Sequence, residues 1–211
     1  YQRKLDLEHL RKLFERYLEV DEAIVGGVLY RARVQKDNTA IPIDKMGKPP
    51  PEGVKNGRAN PAGIPYLYTA STPETAIAEI RPHPSELISV VKYEVTNSLR
   101  LIDLTNPHET ISMSPIGEEE DDLLAMRHSL DLLSYLGNEL SKPILPRAAE
   151  LEYLPTQYFC EYIKNCEKDG VVYRSSIGSG INVALFADNK VRAVDLTLYE
   201  VTAVSYSQRR I

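Results

Sequence analysis

The chain has 211 residues, 43% hydrophobic and 26% charged, with a formal net charge of −5. This length and composition fit a soluble domain with a sizeable core, either alone or with an appendage. The acidic balance and the lack of a basic stripe argue against a nucleic-acid partner, because phosphate neutralisation needs clustered Lys and Arg.

No run approaches the roughly 18 apolar residues of a membrane span, so no membrane association is expected. Cys160 and Cys166 are spaced neither as a CxxC redox pair nor as zinc ligands. They are expected to be plain reduced thiols, in a cytoplasmic protein. His9, His83, His108 and His128 are scattered without ligand spacing, and no metal is expected. The N-terminus YQRKLDLEHL lacks an apolar signal-peptide core. It starts at Tyr1 instead of Met, which leaves room for an upstream segment.

In chain order, residues 5–20 place Leu7, Leu10, Leu13, Phe14 and Leu18 near helical spacing, which predicts a surface helix within an N-terminal unit, 1–25. Gly26-Gly27 breaks it. VLYRARV (28–34) alternates as a half-buried strand, with Leu29, Arg31 and Arg33 on one face. Solvent is the ordinary destination for such arginines. The Pro-, Gly- and Lys-rich stretch 38–63 predicts a long loop, a length that is usually functional or disordered. IPYLYTA (64–70) predicts a strand, and Ser71 or Thr72 caps a helix with Pro73 early in it. Glu74 could complete a capping box from Ser71, and Arg81-Pro82 ends the helix. SVVKYEV (89–95) and LRLIDL (99–104) predict a β-hairpin around Thr96-Asn97-Ser98.

Residues 106–150 predict a helical insertion, whose acidic run 117–122 suits a helix start. A helix over about 155–167, a strand GVVYRSS after Asp169-Gly170, a strand NVALFAD (182–188) and a strand-rich tail LTLYEVTAVSY follow. The sum is an α+β fold with about six or seven strands and helices segregated between them.

Four stretches in order carry a resemblance: Leu29-Tyr30-Arg31, GRANPAGIPYLY, STPETAIAEI, and DGVVYRSS with GSGINVALF. Together they resemble the RES domain family, over roughly residues 26–205. The resemblance implies an ADP-ribosyltransferase-like fold for 26–211, a mixed β-sheet core with flanking helices and the helical insertion, and an enzyme that cleaves NAD+ at its nicotinamide–ribose bond. NAD+ would be the substrate, with no separate cofactor. Matching motif by motif, Arg31, Glu79 and Ser175 take the catalytic positions, and Arg58, Tyr68, Asn182 and Tyr30 the NAD+-binding ones. Arg174 stands where many members have proline, which leaves Ser176 open beside Ser175; Thr156 is a weaker candidate. Many RES proteins are toxins of toxin–antitoxin pairs, so an antitoxin partner is implied. The acceptor is water, inorganic phosphate or a protein side chain, and a homodimer is an open assembly.

The chemistry fits these residue types. Breaking the glycosidic bond passes through an oxocarbenium-like centre. Nicotinamide leaves as a neutral amine, so no general acid is needed and one carboxylate, Glu79, suffices. A tyrosine face can stack on the cationic ring, and arginine forks match the pyrophosphate. No GxGxxG follows a strand, so a Rossmann site is not expected. Two alternatives use the same residues: a protein ADP-ribosyltransferase, and a non-catalytic NAD or ADP-ribose-binding module.

Overall fold

A computed structural model describes residues 7–36, 39–110, 120–142 and 152–205. Of the expected insertion, residues 111–119, with the first half of the acidic run, and 143–150 lie outside these, as does the tail beyond Ser205.

Helix α1 (Leu7–Leu13) runs into a π turn, Phe14–Leu18, and a two-residue strand β1 (Glu19–Val20). Its apolar stripe does what helical spacing demands: Leu10, Leu13, Phe14 and Leu18 are almost fully buried in the main core. Each such burial is worth about 1.5–3 kcal/mol, so this helix is tied to the body. A short 3₁₀ turn capped by Asp21 follows, and Gly26 and Gly27 close it at φ of 64° and 73°. That left-handed backbone is costly for any residue with a Cβ.

Strand β2 (Val28–Val34) matches its sequence expectation. The long loop after it is structured in part. Two 3₁₀ turns, Ile43–Lys45 and Pro51–Gly53, punctuate it, and Met46 is fully buried beneath the Tyr93 hydroxyl, which donates to its carbonyl. Strand β3 is shorter than IPYLYTA suggests, Leu67–Ala70. Helix α2 (Pro73–Glu79) is capped by Thr72, whose hydroxyl accepts from Thr75 N–H. A Ser71–Glu74 capping box does not form, because the Ser71 hydroxyl instead accepts from Ile181 N–H.

Strand β4 (Leu87–Val95) and strand β5 (Leu101–Asp103) are not a hairpin. β4 pairs with β2 and with β8 (Val191–Glu200), whereas β5 pairs with β1 and, in parallel, with β6 (Gly170–Arg174). All three β5 residues are buried, as suits an interior strand with a parallel neighbour and both faces covered. The turn residues between them instead form a crossing loop. Glu22 accepts from Leu99 N–H, and Lys190 donates to the Ser98 carbonyl.

Helices α3 (Pro107–Thr110) and α4 (Glu120–Ser141) precede α5 (Leu154–Asn165). The expected insertion is part of the core here: Leu130, Leu133, Leu136 and Leu140 of α4 are buried against Phe159, Cys160 and Ile163 of α5. Gly137 lets α4 approach the end of β5, since a Cβ there would lie 2.3 Å from the Leu104 carbonyl oxygen.

With β7 (Ile181–Leu185), the eight strands form one sheet ordered β1-β5-β6-β7-β3-β2-β4-β8, antiparallel except at β5–β6. One core lies between this sheet and α1, α4 and α5; a second holds Leu29, Leu67, Val91, Val172 and Val183. A third, smaller core seats α2 on Ala32, Ala70 and Val90. Cys160 and Cys166 are free thiols. None of the described helices is long and apolar enough to cross a membrane.

Candidate functional site

β2 and β3 are neighbours in the sheet yet share a single paired position, Tyr30 with Ala70. The sheet parts there, and the gap opens into a cleft of about 170 Å³ roofed by α2. Tyr30, Arg31, Tyr68, Glu79, Tyr173 and Asn182 line it.

Glu79 is the last residue of α2, turned towards the edge of β7. Its Oε1 accepts two hydrogen bonds, from Ser175 Oγ at 2.6 Å and from Asn182 Nδ2 at 2.7 Å. Asn182 is buried in a central strand between Ala70 and Tyr173, so its amide has a fixed position. Ser175 sits where β6 turns into the Gly-Ser loop. Its hydroxyl also accepts from Gly178 N–H at 2.8 Å and from Ile177 N–H at 3.2 Å. Both lone pairs are thus used, and its one proton points to Glu79. Of the two candidate serines, Ser175 is the one that meets the carboxylate; the Ser176 hydroxyl is buried without a partner. The loop lies close on α2: a Cβ at Gly180 would stand 2.4 Å from Thr75 Oγ1.

Arg31 reaches the cleft from β2. Its Nη1 donates to the Tyr68 carbonyl at 3.3 Å, and its Nε is buried with no hydrogen-bond partner. Burial pulls the guanidinium below its ordinary value, partly opposed by Tyr93 and Tyr68. Arginine nevertheless stays charged at neutral pH. Among the described residues, no carboxylate pairs with it. A buried, underused guanidinium in an open cleft is a site for an anion.

Tyr68 is held by its hydroxyl, which donates to Asn60 Oδ1 at 2.7 Å and accepts from Ala59 N–H at 3.0 Å. Burial pushes its phenol far up, so it stays neutral. The turn that receives it has no room for a side chain at Gly57, where a Cβ would lie 2.3 Å from Asn60 Oδ1 and 2.7 Å from Tyr68 Oη. Gln157 Nε2 donates to the Gly57 carbonyl and Thr156 Oγ1 to the Arg58 carbonyl, both from the first turn of α5. The ring therefore faces the cleft on a clamped hinge.

The structure brings five of the seven expected residues to the cleft wall: Tyr30, Arg31, Tyr68, Glu79 and Asn182. Ser175 stands behind Glu79. Arg58 is not brought there. Its Nη1 donates to the Leu140 carbonyl at 2.8 Å, in the last turn of α4, where a cation also meets the negative end of the helix dipole. Thr156 supports the turn and does not line the cleft. Sequence reasoning missed Tyr173 and Asn60. The period of two that puts Tyr173 on the same face as Ser175 was the available signal. Asn60 had no such signal, because its role depends on a tyrosine hydroxyl arriving from β3. Among the described residues, no group of three or more His, Cys, Asp or Glu is placed to hold a metal.

Among solved structures, a chain in the crystal structure of the M. tuberculosis MbcT–MbcA toxin–antitoxin complex superposes with a TM-score of 0.50. The two share 14% identity over 93% of this chain and 94% of that one, a likeness of fold. No curated protein matches the chain. The family model for the RES domain matches residues 28–206, most of the sequence and every residue of the cleft wall. The chain belongs to the RES domain family.

Proposed function

We propose that this protein consumes NAD+ by cleaving the bond between nicotinamide and ribose. One observation carries the reading: a carboxylate fixed by two neutral donors, Ser175 and Asn182, shares a cleft with a buried guanidinium that has no carboxylate partner among the described residues. That pairing suits a ligand that is anionic at one part and gains positive charge at another. Membership of the RES family supports NAD+ as that ligand.

In this reading Arg31 binds the pyrophosphate and the Tyr68 ring stacks on the cationic nicotinamide, a contact worth about 0.5–2 kcal/mol. The C–N bond breaks with its electron pair going to the ring nitrogen, and nicotinamide leaves neutral. Glu79 stabilises the oxocarbenium centre that develops. An acceptor oxygen then bonds to the ribose carbon, and its proton passes to solvent. Because Oε1 is saturated by Ser175 and Asn182, Oε2 is the oxygen left for the ribose. The neutral donors keep Glu79 oriented without a cation that would cancel its charge.

The acceptor is the open variable. Incubating the protein with NAD+ and inorganic phosphate, and resolving free nicotinamide, ADP-ribose and ADP-ribose-1″-phosphate, tests the reading and identifies the acceptor together. Nicotinamide with ADP-ribose means water, and the phosphorylated product means phosphate. Label carried from the adenylate half of NAD+ into protein would mean a side-chain acceptor. Absence of nicotinamide in all arms contradicts the proposal. The toxin–antitoxin setting of the similar fold supports a second protein as regulator. A carboxylate of such a partner would find the Arg31 Nε without a hydrogen-bond partner and ready to bind it.

A further inference from the structure

Three tyrosines line the cleft, and their hydroxyls differ in what they are doing. The Tyr68 hydroxyl is fully engaged by Asn60 and Ala59. Tyr30 is half-buried on β2, next to the opening. Tyr173 is the unusual one. It is 4% exposed, packed in the main core and opposite Asn182 in the β6–β7 register. Its charged neighbours are Glu79 and Arg58. Among the described residues its hydroxyl is neither hydrogen-bonded nor one of the sealed, unpaired polar atoms, so it opens to the cleft that the ring lines. A phenylalanine would fill the same space, so the hydroxyl adds nothing to the packing of the protein itself.

We propose that Tyr173 is a further substrate-contacting residue, its hydroxyl donating to a hydroxyl of the ligand seated beside Glu79. The inference rests on the NAD+ reading, where the ligand's ribose is the hydroxyl-bearing part. The ribose hydroxyl would donate to Glu79 and accept from Tyr173, so one group with both capacities joins a pure acceptor to a donor. Burial and the nearby carboxylate both hold the phenol far above its ordinary value, which keeps it a donor at every physiological pH. The arrangement selects for an intact sugar hydroxyl: a ligand lacking it leaves two buried polar groups unpaired, a strong basis for discrimination.

Tyr173→Phe tests this, with Tyr68→Phe as the contrast. Thermal melts of the ligand-free proteins come first. Tyr173→Phe is expected to melt close to the unsubstituted protein, because its hydroxyl has no partner in the protein, whereas Tyr68→Phe is expected to melt lower. Calorimetric titration with NAD+ comes second, in a Glu79→Gln background to prevent turnover. Adding Tyr173→Phe is expected to raise the dissociation constant about tenfold. A fall of several degrees in the Tyr173→Phe melt would reveal a structural hydroxyl and overturn the proposal. An unchanged dissociation constant would also overturn it. If the Glu79→Gln protein binds no NAD+, the NAD+ reading is what has failed. The melts then decide alone whether the Tyr173 hydroxyl is committed to the protein or free for a ligand.

Discussion

Arg31 shows how a single residue can be misjudged from its type. On an alternating strand, an arginine ordinarily reaches solvent, yet here the parted sheet gives it an interior destination. Its Nε has no partner, and its hydrogen bond to the Tyr68 carbonyl is long, at 3.3 Å. Replacing Arg31 by Ala is expected to weaken NAD+ binding by about 1.5–3 kcal/mol, the range for a hydrogen bond to a charged group. Relief of the burial should leave the melting temperature unchanged or higher. Calorimetry and a melt on the same sample check both; unchanged affinity would return Arg31 to a packing role. Glu79 and Ser175 were legible as positions because their motifs are distinctive. Their contact was not, since it spans 96 residues of sequence and depends on where α2 ends. Tyr173 was hidden for the opposite reason: in an apolar strand, an inward tyrosine reads as core.

The turn from Gly57 to Asn60 is the element on which the cleft depends. It joins the end of α4, the start of α5 and the tip of Tyr68 through Arg58, Thr156, Gln157 and Asn60. Gly57→Ala should drive a methyl group into Asn60 and Tyr68. A loss of about 1–3 kcal/mol of stability is expected, the usual range for overpacking, together with impaired NAD+ turnover as the tyrosine ring shifts. A melt equal to that of the native protein would mean the turn is looser than its contacts imply. Arg58→Ala separates two roles. If the side chain serves the α4 terminus, stability falls by about 1–2 kcal/mol and NAD+ affinity follows only weakly. Lower affinity at an unchanged melting temperature would instead favour a direct phosphate contact. Among the elements, β2 and α2 were readable because alternation, Pro73 and the capping threonine are local signals. The β4–β5 hairpin was misread because Thr96-Asn97-Ser98 supplies local turn chemistry, while the true partner of β5 lies nearly 70 residues on in β6. Local sequence carries no trace of such a pairing.

Across the whole molecule, the far edge of the sheet is held by charge. Glu19 in β1 binds Arg100 at 2.7 Å and the fully buried Lys168 ammonium at 2.6 Å. The Arg100 hydrogen bond, opposed by burial and aided by Lys168, holds its carboxyl below the ordinary 4.5. A carboxylate whose folded value is depressed stabilises the fold above its unfolded value, and the benefit is lost as pH falls through the folded one. Acid titration of stability should therefore steepen below about pH 4.5, and Glu19→Gln should flatten that limb while lowering stability at neutral pH. Identical acid limbs would remove Glu19 from the account. At the same scale, the α+β class was legible, because strand and helix periods alternate along the chain; the eight strands and their mixed order were not. The split between β2 and β3, which creates the cleft, was not, since it is a missing set of backbone pairs. The central claim is that this split houses one catalytic carboxylate acting on NAD+. It is tested most directly by nicotinamide release from NAD+, measured for the native protein and for Glu79→Gln under identical conditions. Glu79→Gln preserves the acceptor for Ser175 and Asn182, so release should fall about 100-fold or more while NAD+ binding persists. Release at a near-native rate from Glu79→Gln, or none from the native protein, would contradict it.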